Sequence, residues 1–270
     1  MYFKRTLTIS FRQIWAITKK DLQLDLRYIA PLISKNFISP IKTMAWFLII
    51  YSGFFSHSVN NFGGYTKENY IINLLIGSIF SIFFNLGAGS FPAKFFNEKW
   101  WQTIQGTLIA PINSYKLVLG ISLSELIKAI LGLLMVSAVA LFLHPIPFYN
   151  FFIIFGIIIY TFIGLAAMGL IKAAFILVNE NLNSIVEYFF LAVSFLSCFY
   201  YPIESFPSIL RPIAYYNPIY QSLFLIRNIW LDQPISLFNV LYPLFFMLLL
   251  IVVGTSFYNF ITKRFDIDGY

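Results

Sequence analysis

The sequence predicts an all-α integral membrane protein. It has six transmembrane helices, an N-terminal amphipathic interfacial helix and an external re-entrant helical segment before the last span. Three observations carry this. Of 270 residues, 59% are hydrophobic and only 11% are charged, against roughly 25% charged in an ordinary soluble domain. The apolar residues gather into long runs, most of them near the roughly 20 residues that a helix needs to cross a bilayer. Basic residues border these runs instead of forming one patch, so the net charge of +7 is read as membrane orientation and not as nucleic-acid contact.

The first element expected is an amphipathic helix over Ser10–Tyr28 lying in the membrane plane. Ser10 with Gln13 has the spacing of a capping box. Phe11, Ile14, Trp15, Leu22 and Leu26 fall on one face of a helical wheel, and Arg12, Lys19, Lys20, Gln23 and Arg27 on the other. Ile17 and Leu24 interrupt the polar face, which suits contact with protein as well as water. Pro31 and Pro40 bracket a basic connection with Lys35 and Lys42.

Six spans are expected at Thr43–Val59, Tyr70–Phe91, Leu117–Leu143, Phe151–Val178, Ile185–Tyr201 and Leu237–Ile261. Thirteen basic residues lie before the first span, between spans two and three, or after the last, whereas only Lys67, Arg211 and Arg227 lie on the opposite side. The positive-inside bias puts both termini in the cytoplasm. The apolar segment Pro202–Pro234 carries five prolines, too many for a continuous spanning helix. It is expected as two short helices that enter the outer leaflet and return, with Arg211 and Arg227 near the headgroups, either as a lid over a pathway or as a structural plug. With no internal repeat or linker, residues 1–270 form a single membrane domain.

The most polar connection after the N-terminus runs from Asn97 to Gly120. Asn97 is placed as an N-cap with Glu98 at the positive end of the helix dipole. Trp100, Ile104 and Leu108 recur every fourth residue with Trp101 beside them, giving a short helix an aromatic and aliphatic face. Pro111 ends it. Such a face either docks on a partner or packs on its own bundle.

Chemistry-bearing residues are sparse. No phosphate-binding GxxxxGK[ST] loop is present. His57 and His144 stand apart from any metal-ligand cluster, and the single Cys198 has no paired base in sequence, so no catalytic or metal site is expected. In span two, Asn73, Gly77, Ser81, Asn85 and Gly89 form a small polar ridge at every fourth position. It serves either tight helix packing or the wall of a polar path. Glu187 begins span five, whose later face carries Ser194 and Cys198; these three join the ridge as candidate path residues. Glu125 and Lys128, three apart in span three, are expected as a structural ion pair.

Two stretches together resemble the permeases of type-2 ABC exporters, a group that includes drug, O-antigen and teichoic-acid exporters. The first is Glu98–Gly120, where Glu98, Thr103, Ile104, Leu108, Ala110, Pro111 and Gly120 fit the family pattern. Gln102 stands where Gly is common and Gln105 where Glu is common. The second is Pro207–Arg227, where Pro207, Leu210, Pro212, Ile213, Asn217, Pro218 and Arg227 fit. The resemblance implies a half-transporter in the plasma membrane that exports a drug-like, lipid-linked or other amphipathic substrate. Two permease copies, identical or close paralogues, would pair with separate ATP-binding subunits that hold ATP and Mg, so this chain would bind no cofactor itself. Residues 97–109 would be the coupling helix, and spans two and five would line the path. Two other classes remain open: an ion-coupled secondary transporter, which needs intramembrane carboxylates and has only Glu125 and Glu187, and a non-transporting membrane scaffold.

Overall fold

The computed structural model describes residues 2–34, 38–56, 61–62, 65–100, 113–178 and 182–264. The described chain is mainly helical, with one short antiparallel strand pair, β1 (Asn61–Phe62) against β2 (Tyr65–Thr66), Asn61 lying opposite Thr66. The helices are α1 (Tyr2–Leu26), α2 (Ile29–Ile33), α3 (Ser39–Ser56), α4 (Lys67–Trp100), α5 (Ser114–Leu143), α6 (Phe148–Val178), α7 (Leu182–Leu196), α8 (Leu210–Tyr215), α9 (Pro218–Trp230) and α10 (Leu237–Arg264). Among the described residues three helical stretches are long and apolar enough to cross a membrane: Asn69–Lys94, Phe148–Ile176 and Leu237–Ile261. Ile41–Ile50 and Leu182–Leu196 are shorter apolar helices.

The bundle is organised around α4 and α6. The apolar window of α4 is 78% buried inside the molecule, that of α10 only 22%, so α4 is central and α10 peripheral. Small residues let the backbones meet. A Cβ at Gly169 would lie 2.6 Å from the Gly87 carbonyl oxygen and 3.2 Å from that of Ala88. The Ala88 carbonyl has no helical donor, because its partner four residues on is Pro92. On another side of α6, a Cβ at Gly254 of α10 would lie 2.5 Å from the Ala167 carbonyl oxygen, and one at Gly164 would lie 2.7 Å from Met247 Sδ. Phe80, Phe162, Leu165, Leu223 and Met247 are fully buried in the main core between these helices.

Several helices differ in extent from the sequence expectation. Helix α1 begins at Tyr2, so Ser10 lies inside it and caps nothing. Gln13 instead accepts from Lys116 Nζ at 2.6 Å. Helix α3 starts at Ser39 because Pro40 falls in its first turn, where a missing N–H is harmless. Helix α4 runs through both Pro92 and Asn97 to Trp100, so Asn97 is helix interior and not a cap.

The expected fifth span ends early. Helix α7 stops at Leu196 after 15 residues, about 22 Å of helix. Cys198 then takes a left-handed backbone (φ 51°), which turns the chain and takes Cys198 off the helical face of Ser194. The freed carbonyls of Cys198 and Phe199 accept from Arg227 Nη2 at 3.3 and 2.9 Å. Arg227 is thus buried inside the molecule. Arg211 binds the carbonyls of Phe206 and Glu204 from an exposed position.

The segment 202–234 does form two short helices. Asn217 caps α9, its Oδ1 accepting from Ile219 N at 3.0 Å, with Pro218 at the first helical position. Helix α9 is buried along almost its whole length, Ile219, Leu223 and Ile226 most completely. It is a core element packed on α4, α6 and α10.

Helix α4 admits the Cys198–Phe199 turn only because residue 77 is glycine. A Cβ there would sit 1.6 Å from the Phe199 carbonyl oxygen. Gly77→Ala is expected to lower stability by about 1–3 kcal/mol, the usual cost of overpacking. Gly156→Ala, where a Cβ meets nothing within 4 Å, is expected to be neutral or stabilising by up to about 1 kcal/mol. Denaturant unfolding of both variants in detergent, followed by tryptophan fluorescence, checks the contrast.

Candidate functional site

Among the described residues, the densest cluster of ion pairs lies where α1, α4 and α5 meet. Helix α1 does not lie free on its apolar stripe. Its buried seam is Ile17, Thr18 and Asp21, and this seam packs on α5. Thr18 Oγ1 donates to the Gly120 carbonyl at 2.9 Å. A Cβ at Gly120 would lie 2.8 Å from Ile17 Cβ, so glycine is what allows the approach. Ile17, which interrupted the polar face in sequence, is therefore a protein contact. Phe11, 66% exposed, Trp15 and Leu26 point outward, leaving an apolar surface for lipid.

One turn further, five charged side chains converge. Lys94 of α4 lies 2.6 Å from Asp21 Oδ2, 3.1 Å from Glu125 Oε1 and 4.0 Å from Asp25 Oδ2. Lys128 of α5 pairs with both Glu125 and Asp25. Ser124 links them, accepting from Lys94 at 3.2 Å and donating to Asp21 at 3.3 Å. The expected Glu125–Lys128 pair thus exists as one edge of a larger network. Asp21, Asp25 and Lys94 were not picked out from the sequence. Their signal was there: two acids four apart on the seam of an amphipathic helix need cations from whatever they pack on. Burial pushes the Asp21 carboxyl above the ordinary carboxylate range, and the attraction of Lys94 only partly offsets it.

Lys94 sits in the last two turns of α4, and α5 starts at Ser114. The network therefore joins α4, about 9 Å before the connection predicted to couple, to α5, about 16 Å after it. Of the residues named for that role, Glu98 and Trp100 fall in the last turn of α4, while Trp101, Ile104 and Leu108 lie outside the described residues.

The polar ridge of α4 divides into two parts. Asn73 and Gly77 are buried. The Asn73 carbonyl accepts from Arg227 Nη2 at 3.2 Å, and Gly77 faces the Phe199 carbonyl. Further along, Ser81 is half-buried beside Tyr200, and Asn85 is exposed. Gly89 meets nothing within 4 Å, and the glycine that packs is Gly87, against Leu165. Glu187 is exposed and accepts from the buried Lys172 of α6 at 2.9 Å. Ser194 is half-buried, and Cys198 is fully buried with its Sγ toward the Leu196 carbonyl. The candidate path residues thus differ in exposure within this chain.

Removing Lys94 would leave Asp21 and Glu125 short of a cation in a buried site, an expected cost of about 3–5 kcal/mol. Lys94→Met is therefore expected to destabilise the protein by that order and to loosen α1. Cysteines placed at Gln13 and Lys116 should cross-link efficiently in the parent and poorly in the variant. Equal cross-linking and an unchanged unfolding midpoint would remove the clamp from the account.

Two comparisons with known proteins bear on this arrangement. No curated protein matches the chain. A family model described as ABC-2 type transporter matches residues 12–231, from Arg12 in α1 to the residue after α9. That span takes in the charged network, the connection between α4 and α5 and the buried α9. The chain belongs to the ABC-2 type transporter family and is a multi-pass membrane permease component.

Proposed function

We propose that this chain is the transmembrane subunit of an ATP-driven exporter that moves a drug-like, lipid-linked or other amphipathic substrate out of the cytoplasm. It works as a half-transporter, beside a second copy of itself or a close paralogue. A separate ATP-binding subunit carries ATP and Mg, and the chain itself catalyses nothing. It crosses the plasma membrane six times with both termini in the cytoplasm, using α3, α4, α5, α6, α7 and α10.

The observation that carries this reading is the clamp at Lys94. Helices α4 and α5 run into and out of residues 101–112, and Lys94 joins them through Glu125 while Asp21 ties in α1. A push on that connection would reach three helices as one body. Glu98, Trp100, Trp101, Ile104 and Leu108 are the proposed contact with the ATP-binding subunit. Ser81, Asn85 and Glu187 are the ridge and α7 residues with exposure suited to a path. Asn73, Gly77 and Cys198 serve it by holding its upper wall. The ion-coupled alternative is disfavoured because its two carboxylates already hold lysines, Glu125 with Lys94 and Lys128, and Glu187 with Lys172.

Ile104→Asp or Leu108→Asp would bury an unpaired charge in the docked interface, which costs far more than the lost contact area. Each variant is expected to insert normally and to lose at least about tenfold in co-purified ATP-binding subunit. Wild-type association with coupled hydrolysis in liposomes in both variants would exclude this helix as the docking element. For topology, a cysteine at Ser208 should be labelled from outside the cell and one at Lys19 should not. External labelling at Lys19 would reverse the orientation.

A further inference from the structure

The pair between Lys172 and Glu187 is unlike the network at Lys94. Its cation is buried, with a side chain only 7% exposed, whereas its carboxylate is 63% exposed. The ammonium lies 5.4 Å from the centroid of the Phe190 ring. Helix α6 ends at Val178 and α7 begins at Leu182, so the pair sits about 9 Å along α6 from their shared end. From Glu187 an exposed apolar stripe continues at four-residue spacing through Leu191 and Phe195. A buried charge and an adjoining apolar track together have the layout of an amphiphile: headgroup at one end, chain along the other.

A buried ammonium must keep an anion beside it, because an unpaired charge there is strongly unfavourable. Glu187 meets that demand, yet its exposure lets water compete for it. A second anion arriving from the lipid side could take its place with no change in the charge at Lys172. We propose that Lys172 receives the acidic headgroup of the transported amphiphile, a phosphate or carboxylate, and that Glu187 is the counter-ion it displaces. This assignment rests on the exporter reading and names its substrate class. The Phe190 ring holds the ammonium in place, and Leu191 and Phe195 take the chain.

The test uses the full-length permease in phosphatidylcholine nanodiscs, without ATP or the ATP-binding subunit, and dodecyl phosphate as probe. Wild type should bind dodecyl phosphate at least about tenfold more tightly than uncharged dodecyl maltoside, the size expected of one charge-assisted hydrogen bond. Glu187→Gln removes the competing carboxylate and should tighten dodecyl phosphate binding further. The double variant Lys172→Met, Glu187→Gln removes both charges, so it leaves no unpaired ion to unfold the protein. It should bind the two amphiphiles alike. Equal binding by wild type, or a preference retained in the double variant, would overturn the proposal. So would loss of the difference between wild type and double variant in nanodiscs containing phosphatidylglycerol, since Lys172 would then be a site for bulk anionic lipid. This readout needs no hydrolysis, so a failed coupling experiment leaves it standing, and its own failure leaves the exporter reading intact.

Discussion

Buried charge inside an apolar bundle has to find its partner within the chain, and Lys94 is where that requirement is most concentrated. Three carboxylates on two helices converge on two lysines on α4 and α5. Lys94 is the member that could not move off alone, because Asp21 would lose its ion-pair partner, and breaking one buried pair costs about 3–5 kcal/mol. The consequence is geometrical. Helix α1 cannot slide along the membrane independently of α4 and α5, although its outward Phe11, Trp15 and Leu26 would let it lie at an interface. The Thr18 bond to Gly120 and the close approach of Ile17 fix the same contact one turn earlier.

The opposite end of α4 is governed by the same rule applied to backbone groups. The left-handed turn at Cys198 leaves the Cys198 and Phe199 carbonyls, past the end of α7, without helical donors, and such groups cannot stay unbonded in an apolar interior. Arg227 donates to two of them and to the Asn73 carbonyl of α4. Polar satisfaction, and not the length of the apolar run, therefore decides where α7 ends. The run from Ile185 to Tyr201 is apolar enough to continue, yet the helix stops at Leu196.

Much of this was visible in the sequence, and what was missed has a common cause. Long apolar runs located α4, α6 and α10, and the prolines of 202–234 located the short helices. Features that depend on which helix lies opposite were not readable from one strand of sequence. Asp21 and Asp25 looked like ordinary charges on an amphipathic helix until Lys94 and Lys128 faced them. Gly87 lay outside the four-residue ridge and carried no signal until Gly169 met it. Arg227 looked like a headgroup anchor because its carbonyl partners are 154 and 28 residues away for the Asn73 and Phe199 bonds. Ser194 and Cys198 shared a face only on the assumption of a continuous helix.

These contacts hold α4 by charge and polar bonds at two places and by close packing between them. Near Lys94 the helix is held by ion pairs to α1 and α5. Near Gly77 it is held by Arg227 and by the turn after α7. Between them it meets α6 through Gly87, Ala88, Leu165 and Gly169, an approach of backbone and small side chains. Ion pairs resist displacement because each leaves a charge exposed to an apolar medium when broken. A small-residue contact held by dispersion leaves no buried charge or polar group unpaired when it shifts. A force applied where α4 enters the 101–112 connection would therefore carry α1 and α5 with α4.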